Sequence, residues 1–304
     1  MMKTILTFLI PASLLLAGCA ADETPGMVDP STPPVEATVP LIVESAAVSA
    51  EVTTRATVSS GSIGIFLTGT GYTAINNRQY NYGTPAWVPN GGEANTIYLG
   101  GTTASVCAYH PYASTLNNSA AIPLTSQVFD NASKDISFAV NRNVDGSSVN
   151  KSTSFAMTRA YAKVTFVFQR SNYPGTCQIQ KVELKNLLPS ATLNIGTGAY
   201  STAAGVANSS VAQTKNVTVP ATGTVAWGSD ILLVPCTPAS TGMTIVVTVD
   251  GKTMTTTIPT ANYKPVKGEY KTITITVQGT GINTTSVTTA DWVNGNMGPF
   301  VPVP

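Results

Sequence analysis

Groups able to act as nucleophile or general base are scarce in this chain. Its single histidine, His110, lies three residues after Cys107 in the run Cys107-Ala108-Tyr109-His110-Pro111-Tyr112. A thiol beside an imidazole is a pairing that nucleophilic catalysis uses. Along an extended strand, however, residues three apart point to opposite faces, and no Asn or Asp follows closely to orient the ring. Only nine carboxylates follow position 55, and none are paired in a motif of glycoside hydrolysis. Cys107, Cys177 and Cys236 make no CxxC pair, and no Asp/Asn-rich loop resembles a calcium ligand set. A Cys177–Cys236 disulfide and three buried free thiols are both open readings. Glycine tracts such as Gly69-Thr70-Gly71 lack a Walker lysine and a following helix. The inventory points away from an enzyme, from a metal and from a cofactor.

One thiol does have chemistry written around it. Lys3 gives a positive start, Ile5 to Leu16 is a short apolar stretch, and Leu16-Ala17-Gly18-Cys19 follows. The stretch is too short for a mature span and reads as a signal peptide over residues 1–18. The small residues fit a peptidase pocket, and the Cys19 thiol would take fatty acyl chains such as palmitate. The run resembles the lipobox of bacterial lipoproteins. Ala20 at the next position, with Asp22 and Glu23 after it, resembles Gram-negative lipoproteins sorted to the outer membrane rather than kept at the inner one. Residues 19–38 carry Pro25, Pro30, Pro33, Pro34 and four acids, with no aromatic, as a solvated tether would.

The rest of the chain must supply the positioning elements. Of its 304 residues 43% are hydrophobic and only 10% charged, with Lys+Arg 16 against Asp+Glu 15. A net charge of +1 excludes a nucleic-acid surface, which needs clustered base. There are 45 Thr, 31 Val and 25 Ser, a β-rich composition. Alternation marks strands at Ser62 to Gly69 and, less strictly, Gln178 to Leu187, and Thr103 to His110 is a small, branched and aromatic run closed by Pro111. Alternation is clearest at Arg159 to Arg170, where Ala162, Val164, Phe166 and Phe168 share one face. Asp250-Gly251 between Met243–Val249 and Lys252–Pro259 signals a hairpin. Glu269 to Val277 adds another strand. Residues 113–157 read as loop-rich, with one short strand near Ile136 to Val140. The expectation is all-β, with one sandwich over 39–158 and a second over 159–304, divided near Thr158. Trp87, Trp227 and Trp292 serve either as core plugs or as stacking platforms for sugar rings.

Ordered along the chain are the Cys19 lipobox, Thr53-Thr54-Arg55-Ala56-Thr57, Gly61-Ser62-Ile63-Gly64-Ile65-Phe66-Leu67 and Ala108-Tyr109-His110-Pro111-Tyr112. Then come Ala162-Lys163-Val164-Thr165-Phe166, Val182 to Leu187, Val266-Lys267-Gly268-Glu269-Tyr270 and Ala290-Asp291-Trp292. In this order they resemble the fimbrillin (type V pilin) family of lipoprotein precursors, over essentially the whole chain. His110 departs from the family's usual second aromatic. The resemblance implies two transthyretin-like β-sandwich domains in tandem and a structural subunit of a surface fimbria, as stalk, accessory or tip, contributing to adhesion. It implies a precursor anchored in the outer membrane, cut by a protease between Arg55 and Ala56, and a mature extracellular protein assembled with other pilin subunits by donor-strand exchange.

The residues fit parts of that scheme. Val39, Leu41 and Val43 alternate with Pro40, Ile42 and Glu44, as an edge strand within a removable 39–55 segment would. Cutting after Arg55 leaves residues 56–304 with 14 basic and 9 acidic side chains, a net charge of +5. Met297, Val301 and Val303 form an apolar donor face, although Pro299 and Pro302, of opposite parity, interrupt both hydrogen-bonding edges of that tail. The alternative is an uncut, lipid-anchored glycan-binding lipoprotein, and a host or glycan receptor is a further partner class under either reading. The anchor has a direct check. A fatty-acid analogue fed to expressing cells should label the wild-type precursor and leave Cys19→Ala unlabelled. Equal labelling of both would exclude Cys19 as the acceptor.

Overall fold

A computed structural model of the chain describes residues 39–49, 55–84, 86–147, 151–202, 209–236, 242–290 and 292. Strands dominate it. Among the described residues the helices are two 3-10 turns, Glu93–Asn95 and Ala132–Lys134. The β-branched and aromatic runs seen in the sequence become half-buried strands, and the turns between them take Gly or Asn in left-handed conformations. Asp250 and Gly251, at φ 45° and 75°, close the expected hairpin between Met243–Val249 and Lys252–Ile258. The Asp250 carboxylate accepts the backbone N–H groups of Cys177 and Gln178, each at 2.9 Å, which ties the hairpin tip to the next strand.

An 8-stranded sheet holds most of the first half. Its order is Arg55–Thr57, Ile42–Ser49, Ser152–Arg159, Ser137–Asp145, Thr103–His110, Ser62–Thr68, Ile75–Asn81 and Val88–Pro89. Asp230–Leu233, Ala162–Arg170, Tyr270–Gln278 and Gly281–Ala290 of the second half form one sheet with Gln127–Phe129 of the first half at its edge, and Thr224–Ala226 also lies beside Ala162–Arg170. Ser209–Thr218, Gln178–Leu187, Met243–Val249 and Lys252–Ile258 form the opposing one. Val164, Phe166, Phe168, Ile273 and Ile275 from the first of these meet Val182, Leu184, Ile245 and Val247 from the second in one apolar cluster. This is sheet-on-sheet packing, each face supplied by every second residue.

Two details differ from the sequence expectation. The alternation read as one strand from Arg159 to Arg170 is broken at Ala160 and Tyr161: Arg159 ends a strand of the first-half sheet and Ala162 begins one of the second-half sheet. The passage 113–157, read as loop-rich with one short strand near Ile136 to Val140, holds Ile122–Thr125, Gln127–Phe129, the longer Ser137–Asp145 and most of Ser152–Arg159. Ile122–Thr125 pairs with Ser190–Asn194, and Gln127–Phe129 pairs with Asp230–Leu233. Strand pairing therefore crosses Thr158. A further apolar cluster lies at this crossing and mixes residues of both halves, among them Phe66, Tyr109, Ile122, Phe138, Tyr161, Leu193 and Leu232.

Buried charge is concentrated at the same crossing. Arg159 pairs with Asp135, their side chains only 3% and 0% exposed, and the guanidinium lies 4.5 Å from the centre of the Trp292 ring. Lys163 has outward parity on its strand, yet it is buried: its Nζ sits 4.0 Å from the Tyr270 ring centre and 4.9 Å from that of Trp292. Asp230 is its counter-ion, Nζ to Oδ2 being 3.2 Å. Burial pulls the Lys163 amine below its usual range, and Asp230 opposes that shift. Aromatic faces replace part of the lost hydration of both cations. Removing one partner of such a pair leaves the other charge stranded. Asp135→Ala should therefore lower unfolding free energy by about 3–5 kcal/mol in a denaturant titration. A loss below about 1 kcal/mol, the scale of an exposed pair, would show that Arg159 does not depend on this carboxylate.

Candidate assembly site

The segment Val39 to Ser49 threads through the first-half sheet. Val39–Pro40 pairs with Tyr98–Leu99, and Ile42–Ser49 runs parallel to Ser152–Arg159. Main-chain bonds fix it from both sides. Leu41 N–H donates to Ile97 O at 2.8 Å, Ile42 N–H to Lys151 O at 2.8 Å, and Val43 O accepts from Trp87 N–H at 3.0 Å. Leu41, Val43, Ala46 and Val48 point inward and are buried beside Trp87, Leu99, Phe155 and Met157. Burial of the three larger side chains is worth about 5–9 kcal/mol at roughly 1.5–3 kcal/mol each. The buried Lys151 secures the same corner, its ammonium donating to Leu99 O at 2.9 Å.

The structure places Val39, Leu41 and Val43 unequally. Leu41 and Val43 are core residues, Val39 is half-buried, and the strand goes on inward at Ala46 and Val48. Alternation could not have shown the last two, because they lie on the opposite parity. Between them the register slips: Thr153 pairs with Val43 and Ser154 with Ser45, which leaves Glu44 as an extra residue. Such a bulge shifts every later side chain to the other face.

The strand is also not an edge, contrary to the sequence reading. The chain folds back after Ser49, and Arg55–Thr57 pairs with it on the side away from Ser152–Arg159, as Ser49 with Arg55 and Val48 with Ala56. This three-residue strand ends the sheet. The Arg55–Ala56 peptide bond therefore lies in extended backbone with one edge paired and the other without a strand partner among the described residues. Cys19, Met297, Val301 and Val303 lie outside the described residues.

The other sequence candidates are accounted for. Trp87, Trp227 and Trp292 are at most 5% exposed, so none offers a stacking platform. The Trp227 indole N–H donates to Gln213 Oε1 at 2.6 Å, as a core tryptophan should. Cys107 is buried, and burial pushes its thiol up to about 12, where little thiolate exists near neutral pH. His110 is buried too, and burial, followed by the nearby Arg159, lowers it to about 4. Cys177 and Cys236 are free rather than joined. Among the described residues no group of three His, Cys, Asp or Glu is placed to hold a metal ion. A cleft of about 600 Å³ between Thr256–Pro259 and Asn283–Val287 is lined by hydroxyl, amide and aliphatic groups and carries no ionisable side chain.

Comparison with known proteins agrees with the fold. A candidate cell-adhesion protein of Bacteroides ovatus superposes with a TM-score of 0.62 at 21% identity, over 84% of this chain and 99% of that one. Another from Bacteroides uniformis gives 0.60 at 21%, with the same coverages. A third, from Bacteroides fragilis, gives 0.51 at 10%, over 83% and 96%. No curated protein matches. The model of the fimbrillin-like family matches residues 52–292. With that span covering most of the polypeptide, the all-β chain belongs to the fimbrillin-like family.

Proposed function

We propose that this chain is the precursor of a structural subunit of a surface fimbria, made of two sandwich units in tandem, 39–158 and 159–304, with Ile122–Thr125 and Gln127–Phe129 of the first pairing to strands of the second. It is exported as a lipoprotein on Cys19, cut between Arg55 and Ala56, and joined to other pilin subunits by strand exchange. The observation that carries the reading is the position of Ile42–Ser49. It fills a row of apolar pockets and a line of main-chain partners on Ser152–Arg159, yet it is joined to the body only through the hairpin that contains Arg55. Losing it would open a hydrophobic groove flanked by an unpaired strand, a surface that binds another extended segment.

The cut site has the backbone a protease needs. Proteases bind substrate as an extended strand, and Arg55–Thr57 is already extended at the end of its sheet, with no second strand partner among the described residues. Its three residues can peel away from Ser49, Val48 and Ala47 at the cost of few bonds. A stalk, accessory or tip position are all consistent with this geometry. The uncut glycan-binding alternative loses its main support, since the three tryptophans are core residues.

Polymerisation should then depend on one side chain. Arg55→Ala cells should carry full-length, lipidated monomer and at least about tenfold less detergent-resistant surface polymer than wild type, read on immunoblots of unheated samples. Arg55→Lys restores the charge and tests whether the protease needs guanidinium. Arg55→Ala polymer at wild-type level would exclude processing at this bond.

A further inference from the structure

The groove has stricter spacing than the strand that fills it. Opposite Val43, Ala46 and Val48 stand Thr153, Phe155 and Met157, all buried and all two residues apart. The wall therefore repeats every second residue, as a regular strand does. The resident strand does not: its inward residues are 41, 43, 46 and 48, and it meets the wall only by inserting Glu44 as a bulge. Glu44 is exposed, and its side-chain contact at the bulge is a long one, Ser154 Oγ to Glu44 Oε2 at 3.5 Å. Bulged ladders lose pairing at the extra residue, and they are rare in parallel pairs.

We infer that Ile42–Ser49 is a placeholder, made replaceable by the Glu44 bulge, and that the groove prefers an incoming strand with apolar side chains in strict alternation. The partner it fits is an extended segment of another subunit with apolar groups at i, i+2, i+4 and i+6 and no inserted residue. This rests on the assembly reading above and adds what drives it. The resident strand serves while it is held covalently, because its local concentration is high. Once cut, it competes as a free segment with a ladder defect, and a regular strand replaces it by pairing the same wall residues, Ser152 to Met157, without the bulge. Met297, Pro299, Val301 and Val303 of the chain's own C-terminal segment have the strict spacing. The Trp87 N–H bond at Val43 uses the Val43 carbonyl, which a proline in that place retains.

The test removes the bulge. In the uncut full-length precursor, deletion of Glu44 should slow amide hydrogen exchange of residues 45–49 at least tenfold. Exchange as fast as wild type, or faster, would overturn the inference, and this readout does not need the protease. In wild-type protein nicked by an Arg-specific protease, three synthetic peptides compete for the groove: residues 39–49, the same segment lacking Glu44, and a scrambled control. The peptide lacking Glu44 should displace the nicked fragment at least tenfold more effectively than the natural one, and the scrambled peptide should not displace it. Equal or weaker displacement by the Glu44-less peptide would overturn the inference even if the deleted chain fails to fold. Failure of the protease to cut at Arg55, seen on a denaturing gel, would instead count against the assembly reading and leave the exchange result to decide this one.

Discussion

A strand whose neighbour is missing exposes a line of N–H and C=O groups above whatever apolar surface it roofs, and that surface has to be covered. In this chain the strand is Ser152–Arg159. Phe155 and Met157 on its inner face belong to the first-half core, and Ile42–Ser49 is what closes them off. Most features of the first half follow from that need. Lys151 clamps the corner where the covering strand enters, Trp87 bonds to it from the other side, and Arg55–Thr57 folds back along it. The cover and the strand Arg55–Thr57 that folds back along it are adjacent in the chain.

The two halves solve the same problem in related ways. In the first, the opening strand Ile42–Ser49 runs parallel to the closing strand Ser152–Arg159. In the second, Ala162–Arg170 runs parallel to Tyr270–Gln278 over eight paired positions without a register slip. The later pair is regular, carries Val164, Phe166 and Phe168 against Ile273, Ile275 and Val277, and lies inside its sheet between Asp230–Leu233 and Gly281–Ala290. Its opening strand continues directly from the first half and cannot be released. Among the described residues, the first half sets a bulged opening strand beside an edge strand that carries Arg55. The two opening strands thus differ in register as well as in position.

Much of this was legible in the sequence, and the exceptions have physical causes. The alternation of Ala162, Val164, Phe166 and Phe168 gave a buried face directly, and Asp250-Gly251 gave its hairpin, because both depend on neighbours in the chain. Leu41 and Val43 were readable for the same reason. Ala46 and Val48 were not, since one inserted residue inverts parity and nothing in a single sequence marks Glu44 as the insertion. Ile122–Thr125 and Gln127–Phe129 are too short to show a period, and their partners lie about sixty-five and one hundred residues on. Lys163 reads as a solvent-facing lysine until Tyr270 and Trp292, more than one hundred residues away, cover it.

The central claim is that the body enters the polymer without its first strand. Mass spectrometry of polymers sheared from the cell surface reads this directly. The account predicts a subunit whose N-terminus is Ala56, with peptides from residues 39–49 absent and peptides from the body at full recovery. Polymers in which the same subunit keeps residues 39–49, with acylated Cys19 at its start, would contradict it.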